Sequence, residues 1–377
     1  MLQIVDSLQP GGMENILTQV LARLDPARFD SRVVCLSRGG PFAERLPPRV
    51  PVTVMDKPAG FRLSAIRQLR GVIRDHGATL VHTHHLGGLI YTVLATAPFP
   101  WKKPRLLHSE HIIWDAADLA PKRQWQRRVL YRLADCVFAV SRGQVDQMRG
   151  LGHHPRGLHA LLNGVDCARF TPPAVSKAAA RAKLGLPGDG RWLGMVARFS
   201  PAKRHVELIA AFDQAAATCP DLRLLLVGDG GPAKARALAR MEASAHRGRI
   251  HWAGFQQDTV PWYQAMDILA LPSLSEGLPN AALEAMACGL PLLANDACGV
   301  DEVAAGGTHG WIGQLRTVPD LAAAIKRAAM ESAGELQRMG AAARHHVEEN
   351  FSLDAMVRRY DALFTAVAAG RLPLAEG

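Results

Sequence analysis

Along the chain, short apolar runs alternate with stretches whose apolar residues recur every three or four positions. In the first half the runs are MLQIV, RVVCL, VPVTVM, TLVHT, RLLHS and CVFAV; in the second they are RWLGMV, LRLLLVG, DILALP and LPLLAN. Several are apolar almost throughout, lacking the alternation of a strand with one wet face. That pattern fits parallel strands covered by helices on both sides. Strand and helix signals alternate from end to end, which predicts an α/β protein. One helix can be placed closely. Leu283, Met286, Ala287 and Leu290 form a stripe at helical spacing, Pro279 suits its first turn, and Glu284 falls on another face one turn beyond Asn280.

A chain of 377 residues exceeds one ordinary core and suits two domains. After NGVDCARFTPP, two prolines and the small-residue stretch AVSKAAARAKLGLPGDG separate two series of strands, so a hinge is expected near Thr171 to Gly190. This divides the chain into domains 1–170 and 171–350, with 351–377 as a C-terminal helix returning toward the first domain. Apolar residues at 48% and charged residues at 21% exclude wholesale disorder. Six cysteines without C-x-x-C spacing read as reduced core thiols rather than a disulfide framework or zinc site. MLQIVDSL reads directly as a strand rather than a secretion signal, and LGGLIYTVLATAPF is short of the roughly 20 apolar residues that span a bilayer. A cytoplasmic protein is expected. The net charge of +10 favours anionic partners without choosing among them. A nucleic acid is not expected, because no recognition-helix module, zinc spacing or aromatic-basic RNA motif accompanies the charge.

In PSLSEGLPNAALEAMACGLP, Glu276 and Glu284 stand in a loop and on the helix that follows it. A carboxylate accepts hydrogen bonds from two adjacent hydroxyls, as on a ribose or sugar, and the helix start adds N–H donors that favour phosphate. Spacing alone also fits two solvated surface glutamates. Arg198 and Lys203 flank the turn after an apolar strand in MVARFSPAK, where cations can hold a diphosphate or simply be solvated. Gly228 opens the tight turn GDGG, and Gly11 and Gly12 lie between a strand and a helix; each allows close ligand approach or merely a turn. His82, His84 and His85 follow one strand, and His108 and His111 another. Their spacing matches no metal motif, which leaves hydrogen bonding to a substrate or a structural role. His153 and His154 read as a solvated pair.

Taken in order, PGGMEN, LVHTHH, SEH, VFAVS, LLNGVDCARFTPP, GMVARFSPAK, LLLVGDGG, HWAGF and SLSEGLPNAALEAMACGLP resemble the retaining group 1 glycosyltransferases, which have the GT-B fold and an E-x-x-x-x-x-x-x-E motif. The resemblance covers almost the whole chain. It implies two facing Rossmann-like domains with parallel sheets and an interdomain cleft. A nucleoside diphosphate sugar would be the donor, a sugar or lipid-linked molecule the acceptor, and no cofactor or metal would be required. Glu284 would accept from the ribose, Glu276 would lie near the donor sugar, and Arg198 and Lys203 would bind the diphosphate. Gly11 and Gly12 match the loop that closes on the donor phosphates, and Gly228, Gly277, Leu278 and Asn280 complete the donor set. His111, with His108 as rival, matches the histidine facing the donor sugar, and His84 lies with it toward the acceptor. The implied catalytic residues are His111, Glu276, Arg198 and Lys203; Asn163 reads as structural. The chain departs from the family at Arg204, where glycine is usual, and at Cys298. An epimerase or phosphorylase on the same fold is the rival reading; a nucleic-acid-binding protein, suggested by the charge, and a nicotinamide dehydrogenase are more distant ones. Finally, PKRQWQRRVLYRLAD reads as a basic helix with Val129, Leu130, Leu133 and Ala134 on one side and Arg123, Arg127, Arg128 and Arg132 on the other. With Trp125, Lys102 and Lys103 it would suit an anionic membrane, although an ordinary packed surface helix fits the same pattern.

Overall fold

The computed structural model describes residues 1–97, 103–111, 114, 118–297 and 299–372. Their contacts form two units, Met1–Asn163 with Asp354–Gly377, and Gly164–Leu353. The first unit contains strands β1 (Leu2–Val5), β2 (Arg32–Cys35), β3 (Val52–Val54), β4 (Leu80–Thr83), β5 (Arg105–Glu110), β6 (Cys136–Ala139) and β7 (His159–Ala160). Helices α1 (Gly12–Arg23), α2 (Leu63–Asp75), α3 (Leu86–Thr96), α4 (Pro121–Leu130) and α5 (Arg142–Gly150) connect them. The strands form one sheet in the order β3-β2-β1-β4-β5-β6-β7, and every pairing is parallel.

The second unit starts with α6 (Lys177–Lys183) and builds a sheet from β8 (Arg191–Val196), β9 (Leu222–Val227), β10 (Ile250–Trp252), β11 (Ile268–Leu271), β12 (Leu292–Asn295) and β13 (Gly310–Gly313). It contains helices α7 (His205–Ala216), α8 (Lys234–Glu242), α9 (Val260–Ala265), α10 (Asn280–Ala287), α11 (Val300–Val303), α12 (Val318–Ala329) and α13 (Ala333–Asn350). Its order is β10-β9-β8-β11-β12-β13, again wholly parallel. Both units are therefore Rossmann-like. Strands such as β6 and β11 are buried along their whole length, as their unbroken apolar runs require.

The boundary falls earlier than the proline-rich stretch suggests. Phe170 packs edge-on against Tyr263 with ring centroids 6.0 Å apart, and the Gln264 side chain donates to Thr171 O at 2.9 Å. The segment after Asn163 is thus packed into the second unit instead of forming a free hinge. The last helix, α14 (Leu353–Ala368), belongs to the first unit from Asp354 onward. Its Phe364 ring lies 5.6 Å from His82 and 6.1 Å from Phe29, and Arg28 pairs with Asp361 at 2.7 Å. Pro279 immediately precedes α10 rather than lying in its first turn. No described helix is long and apolar enough to cross a membrane. Among the described residues Cys35, Cys136, Cys167, Cys219 and Cys288 are free thiols; Cys298 and Lys102 lie outside the described residues.

Candidate functional site

In each sheet the strand order reverses once, between β1 and β4 and between β8 and β11. Open α/β sheets bind ligands beyond the carboxyl ends of the strands at such switch points. Most residues singled out in the sequence lie there: Gly11 and Gly12 after β1, His84 after β4, Arg198 and Lys203 after β8, and Glu276 after β11.

In the second unit Arg198 is exposed at the end of β8, and the turn Pro201–Lys203 brings Lys203 inward. Its ammonium lies 2.5 Å from Glu276 Oε1, and the Glu276 side chain is only 9% exposed. The two loops are also joined by Leu274 N donating to Ala202 O at 2.9 Å. Arg204, the departure noted above, adopts a left-handed backbone, φ 60° and ψ 42°, at the start of α7. Glycine would hold this conformation without strain. The arginine is nevertheless 3% exposed, and its guanidinium donates to Leu315 O at 2.5 Å, Arg316 O at 2.7 Å and Pro272 O at 3.2 Å. It thereby ties the loops after β8, β11 and β13 together. Asn295 does similar work, donating to Ser273 O at 3.0 Å and accepting from Leu315 N at 2.9 Å.

Gly228 has φ 132°, and a side chain there would strike the Ala197 carbonyl, so the close stacking of the β9 loop on the β8 loop requires glycine. Likewise a Cβ at Gly299 would overlap the carbonyl of Gly277. Leu278 is buried, and Asn280 opens α10. One turn later, Glu284 Oε2 accepts the Tyr263 hydroxyl at 2.8 Å. Burial, and then the Glu284 charge, push the Tyr263 hydroxyl well above its ordinary pKa, so it remains a donor. The two glutamates thus take different partners, Lys203 and Tyr263. Sequence reading missed Tyr263 and Asn295.

In the first unit Gly11 is extended, φ −164°, and caps α1; a side chain there would meet the Glu14 carboxylate. Gly12 begins the helix itself. The histidines separate into two groups. His84 Nδ1 lies 3.1 Å from His111 Nε2, and His84 Nε2 lies 2.8 Å from Gln3 Oε1. Ser109 Oγ is 2.8 Å from His111 Nε2 and 3.0 Å from His82 Nε2. Desolvation holds His82 and His84 far below the ordinary imidazole pKa and lowers His111 to about 3, so all three are neutral near pH 7. His108 points elsewhere and is fully buried: Nδ1 lies 2.8 Å from Thr83 Oγ1 and Nε2 3.4 Å from Glu110. His111 is only half-buried.

Glu110 anchors a separate buried network. It accepts from Tyr131 at 2.5 Å and from Arg127 at 3.2 Å, and Arg127 also bonds Asp118 at 2.8 Å. This corrects the amphipathic reading of the basic helix. Arg127 is 2% exposed, whereas Trp125, Val129 and Leu133 are 66%, 39% and 57% exposed. Arg127 lies one turn before the buried Leu130 and shares its inward face, so it does not belong with the exposed Arg123, Arg128 and Arg132; the helix ends at Leu130 and gives way to a tighter turn at Tyr131–Leu133, beyond which helical spacing no longer places Leu133. His153 is likewise buried, with Nε2 2.6 Å from Gln124 Oε1. No group of three or more His, Cys, Asp or Glu among the described residues is arranged to hold a metal.

Residues 176–346 match the family described as Glycosyl transferases group 1, and residues 10–169 match Glycosyltransferase Family 4. The D-inositol 3-phosphate glycosyltransferase of Saccharomonospora viridis is 30% identical over 291 residues, 71% of this chain and 63% of that protein. The chain therefore spans less than two thirds of that relative. A GDP-mannose-dependent monoacylated alpha-(1-6)-phosphatidylinositol monomannoside mannosyltransferase of Corynebacterium glutamicum is 32% identical over 264 residues, 67% of each chain. Among solved structures, Anabaena HepE in complex with UDP-glucose superposes with a TM-score of 0.84 at 22% identity, covering 97% of this chain and 98% of that one. That likeness, with the two Rossmann-like sheets, shows the GT-B fold.

Proposed function

Because the chain belongs to the Glycosyl transferases group 1 family, we propose that it moves a hexose-type sugar from a nucleoside diphosphate sugar to an acceptor hydroxyl with retention at the anomeric carbon. The observation that carries this reading is the Lys203–Glu276 pair beyond β8 and β11, the switch point of the second sheet, with Arg198 exposed in the same loop after β8. Two cations there oppose the negative charge that grows on a departing diphosphate. Glu276 keeps the Lys203 ammonium in place before a donor arrives, and Tyr263 orients the Glu284 carboxylate toward paired ribose hydroxyls. For the first unit, the resemblance assigns His111 to the sugar, with His84 bonded to it. Retention proceeds on the front face, the leaving phosphate helping to deprotonate the acceptor, without a carboxylate pair dedicated to double displacement.

Thermal stabilisation by UDP-, GDP- and ADP-sugars tests the donor. A sugar nucleotide at 100 times its dissociation constant adds roughly 2.7 kcal/mol to the wild type, and Arg198→Ala should lose most of that gain. No stabilisation by any of the three would refute the donor assignment. Anomeric proton NMR of the first product tests retention, and a nucleotide-sugar epimer formed without transfer would favour the rival epimerase.

We further infer a peripheral enzyme of cell-surface polysaccharide or glycolipid assembly with a lipid-linked acceptor. The support is the exposed ridge Trp125, Val129 and Leu133, flanked by exposed Lys122, Arg123, Arg128 and Arg132. Such a surface suits the headgroup boundary of an anionic bilayer. The phosphatidylinositol mannoside named for the Corynebacterium relative is an acceptor of the same kind. Salt-sensitive sedimentation with anionic liposomes should be lost in Trp125→Ser with Arg123→Glu and Arg128→Glu. Arg127 must stay untouched. Equal binding by wild type and variant would move the acceptor to a soluble molecule.

A further inference from the structure

Gln3 is a polar residue in the middle of β1, fully buried in a strand otherwise made of apolar side chains. A lone amide costs stability in such a place unless it is hydrogen-bonded, and its partners define which way it faces. The side-chain nitrogen lies 3.4 Å from Met1 Sδ, a weak acceptor, and the oxygen lies 2.8 Å from His84 Nε2. Rotating the amide by half a turn would set its oxygen against the thioether. In the orientation observed, Gln3 Oε1 can only accept, so His84 carries its proton on Nε2 and presents a bare Nδ1 on the opposite side of the ring.

Two groups face that Nδ1: His111 Nε2 at 3.1 Å and Ser109 Oγ at 3.3 Å. If the serine supplied the proton, an unprotonated His111 Nε2 would stand 2.8 Å from Ser109 Oγ and 3.1 Å from His84 Nδ1 with no hydrogen between them. If His111 Nε2 carries a proton, both close contacts are satisfied, His82 Nε2 can donate to Ser109 Oγ, and the serine proton can turn to Thr83 O at 3.4 Å. A single N–H on His111 Nε2, shared between His84 Nδ1 and Ser109 Oγ, places a hydrogen in both of the shorter contacts, whereas a serine proton pointed at either ring leaves the two facing histidine nitrogens without one.

We propose that Gln3 is a positioning residue that sets the tautomers of His84 and, through it, His111, so that His111 presents an unprotonated Nδ1 as a hydrogen-bond acceptor for a hydroxyl of the bound sugar. The proposal deepens the glycosyl-transfer reading and rests on it only for what His111 touches. A buried amide on β1 thus selects which partner a half-buried imidazole beyond β5 can take. Without Gln3 the proton of His84 is free to move to Nδ1, His111 then accepts at Nε2, and its outer nitrogen turns from acceptor to donor.

Histidine-labelled protein without ligand, examined by long-range nitrogen–proton NMR near pH 7, decides the matter, with His84→Gln and His111→Gln used to assign the signals. The wild type should show both rings protonated at Nε2, with a through-hydrogen-bond nitrogen–nitrogen coupling between His84 Nδ1 and His111 Nε2. Gln3→Met should shift both rings toward the Nδ1–H form. Its turnover should fall roughly tenfold with nucleotide affinity unchanged, about the size of one lost hydrogen bond. A wild-type His111 protonated at Nδ1, or tautomers unchanged in Gln3→Met, would overturn the proposal. Should the variant fail to fold, the wild-type spectrum alone decides. An inactive wild type with the expected tautomers would count against glycosyl transfer and leave the proton arrangement standing.

Discussion

Tyr263 reaches Glu284, 21 positions further along the chain, from α9 to α10, and at 2.8 Å it holds one oxygen of the carboxylate. Glu284→Ala should therefore weaken nucleotide binding by about 1 to 3 kcal/mol, since it removes paired acceptors and leaves a buried hydroxyl unsatisfied. Titration calorimetry with the free nucleoside diphosphate measures it, and an unchanged affinity in folded protein would refute the ribose assignment. The glutamate was legible because E-x-x-x-x-x-x-x-E is a local pattern. The tyrosine was not, because nothing in VPWYQAMD marks a residue whose partner lies on another helix. Arg204 stood out only as an irregularity; its left-handed backbone and three carbonyl contacts need the folded loops to be understood. The buried His82 and His84 and the half-buried His111 set a pH dependence. Their folded pKa values are depressed, His111 to about 3, so the stability they contribute is full above the unfolded value and lost as pH falls through the folded one. Thermal denaturation should accordingly show a falling midpoint from about pH 6.5 downward, and a smaller fall in His82→Asn. A flat profile between pH 7 and pH 4 would contradict neutral burial.

Among the elements, α4 shows where charge misleads. Its charge grouped Arg127 with the exposed arginines, yet three-residue spacing sets it beside buried Leu130, and it packs under the helix with its guanidinium centred 4.1 Å from the Trp114 ring and paired with Glu110 and Asp118. Arg127→Ala should cost about 3 kcal/mol or more, because it strands a buried carboxylate, whereas Arg123→Ala should cost almost nothing. Chemical denaturation of the two variants provides the comparison. The long apolar strands were readable since each is nearly continuous in sequence. β7, β10 and β13 were missed for physical reasons: β7 has two residues, β10 follows Arg247, Gly248 and Arg249, and β13 begins and ends in glycine. None buries enough apolar surface to announce itself before its neighbours are in place.

For the molecule as a whole, the same six-strand order occurs twice, with β7 added at one edge of the first sheet, and the second unit is inserted into the first. Turnover should survive EDTA, because the proposed chemistry relies on Arg198 and Lys203; loss of turnover restored by magnesium or manganese would refute that. Removing residues 354–377 should uncover the core of the first unit that Tyr360, Phe364 and Val367 cover, each at most 3% exposed. Calorimetry should then show one surviving transition, from the second unit, together with binding of an apolar dye. The nesting also governs the order of events at the ribosome. β7 ends at Ala160 and α14 begins at Leu353, so about 200 residues, or roughly 10 to 40 s of synthesis, separate the sheet of the first unit from the helix that closes it. The second unit is contiguous, and its last residue is made just as α14 begins. The earlier-made sheet waits with the surface that Tyr360, Phe364 and Val367 later cover still open, an apolar patch of the kind that makes incomplete chains prone to aggregate.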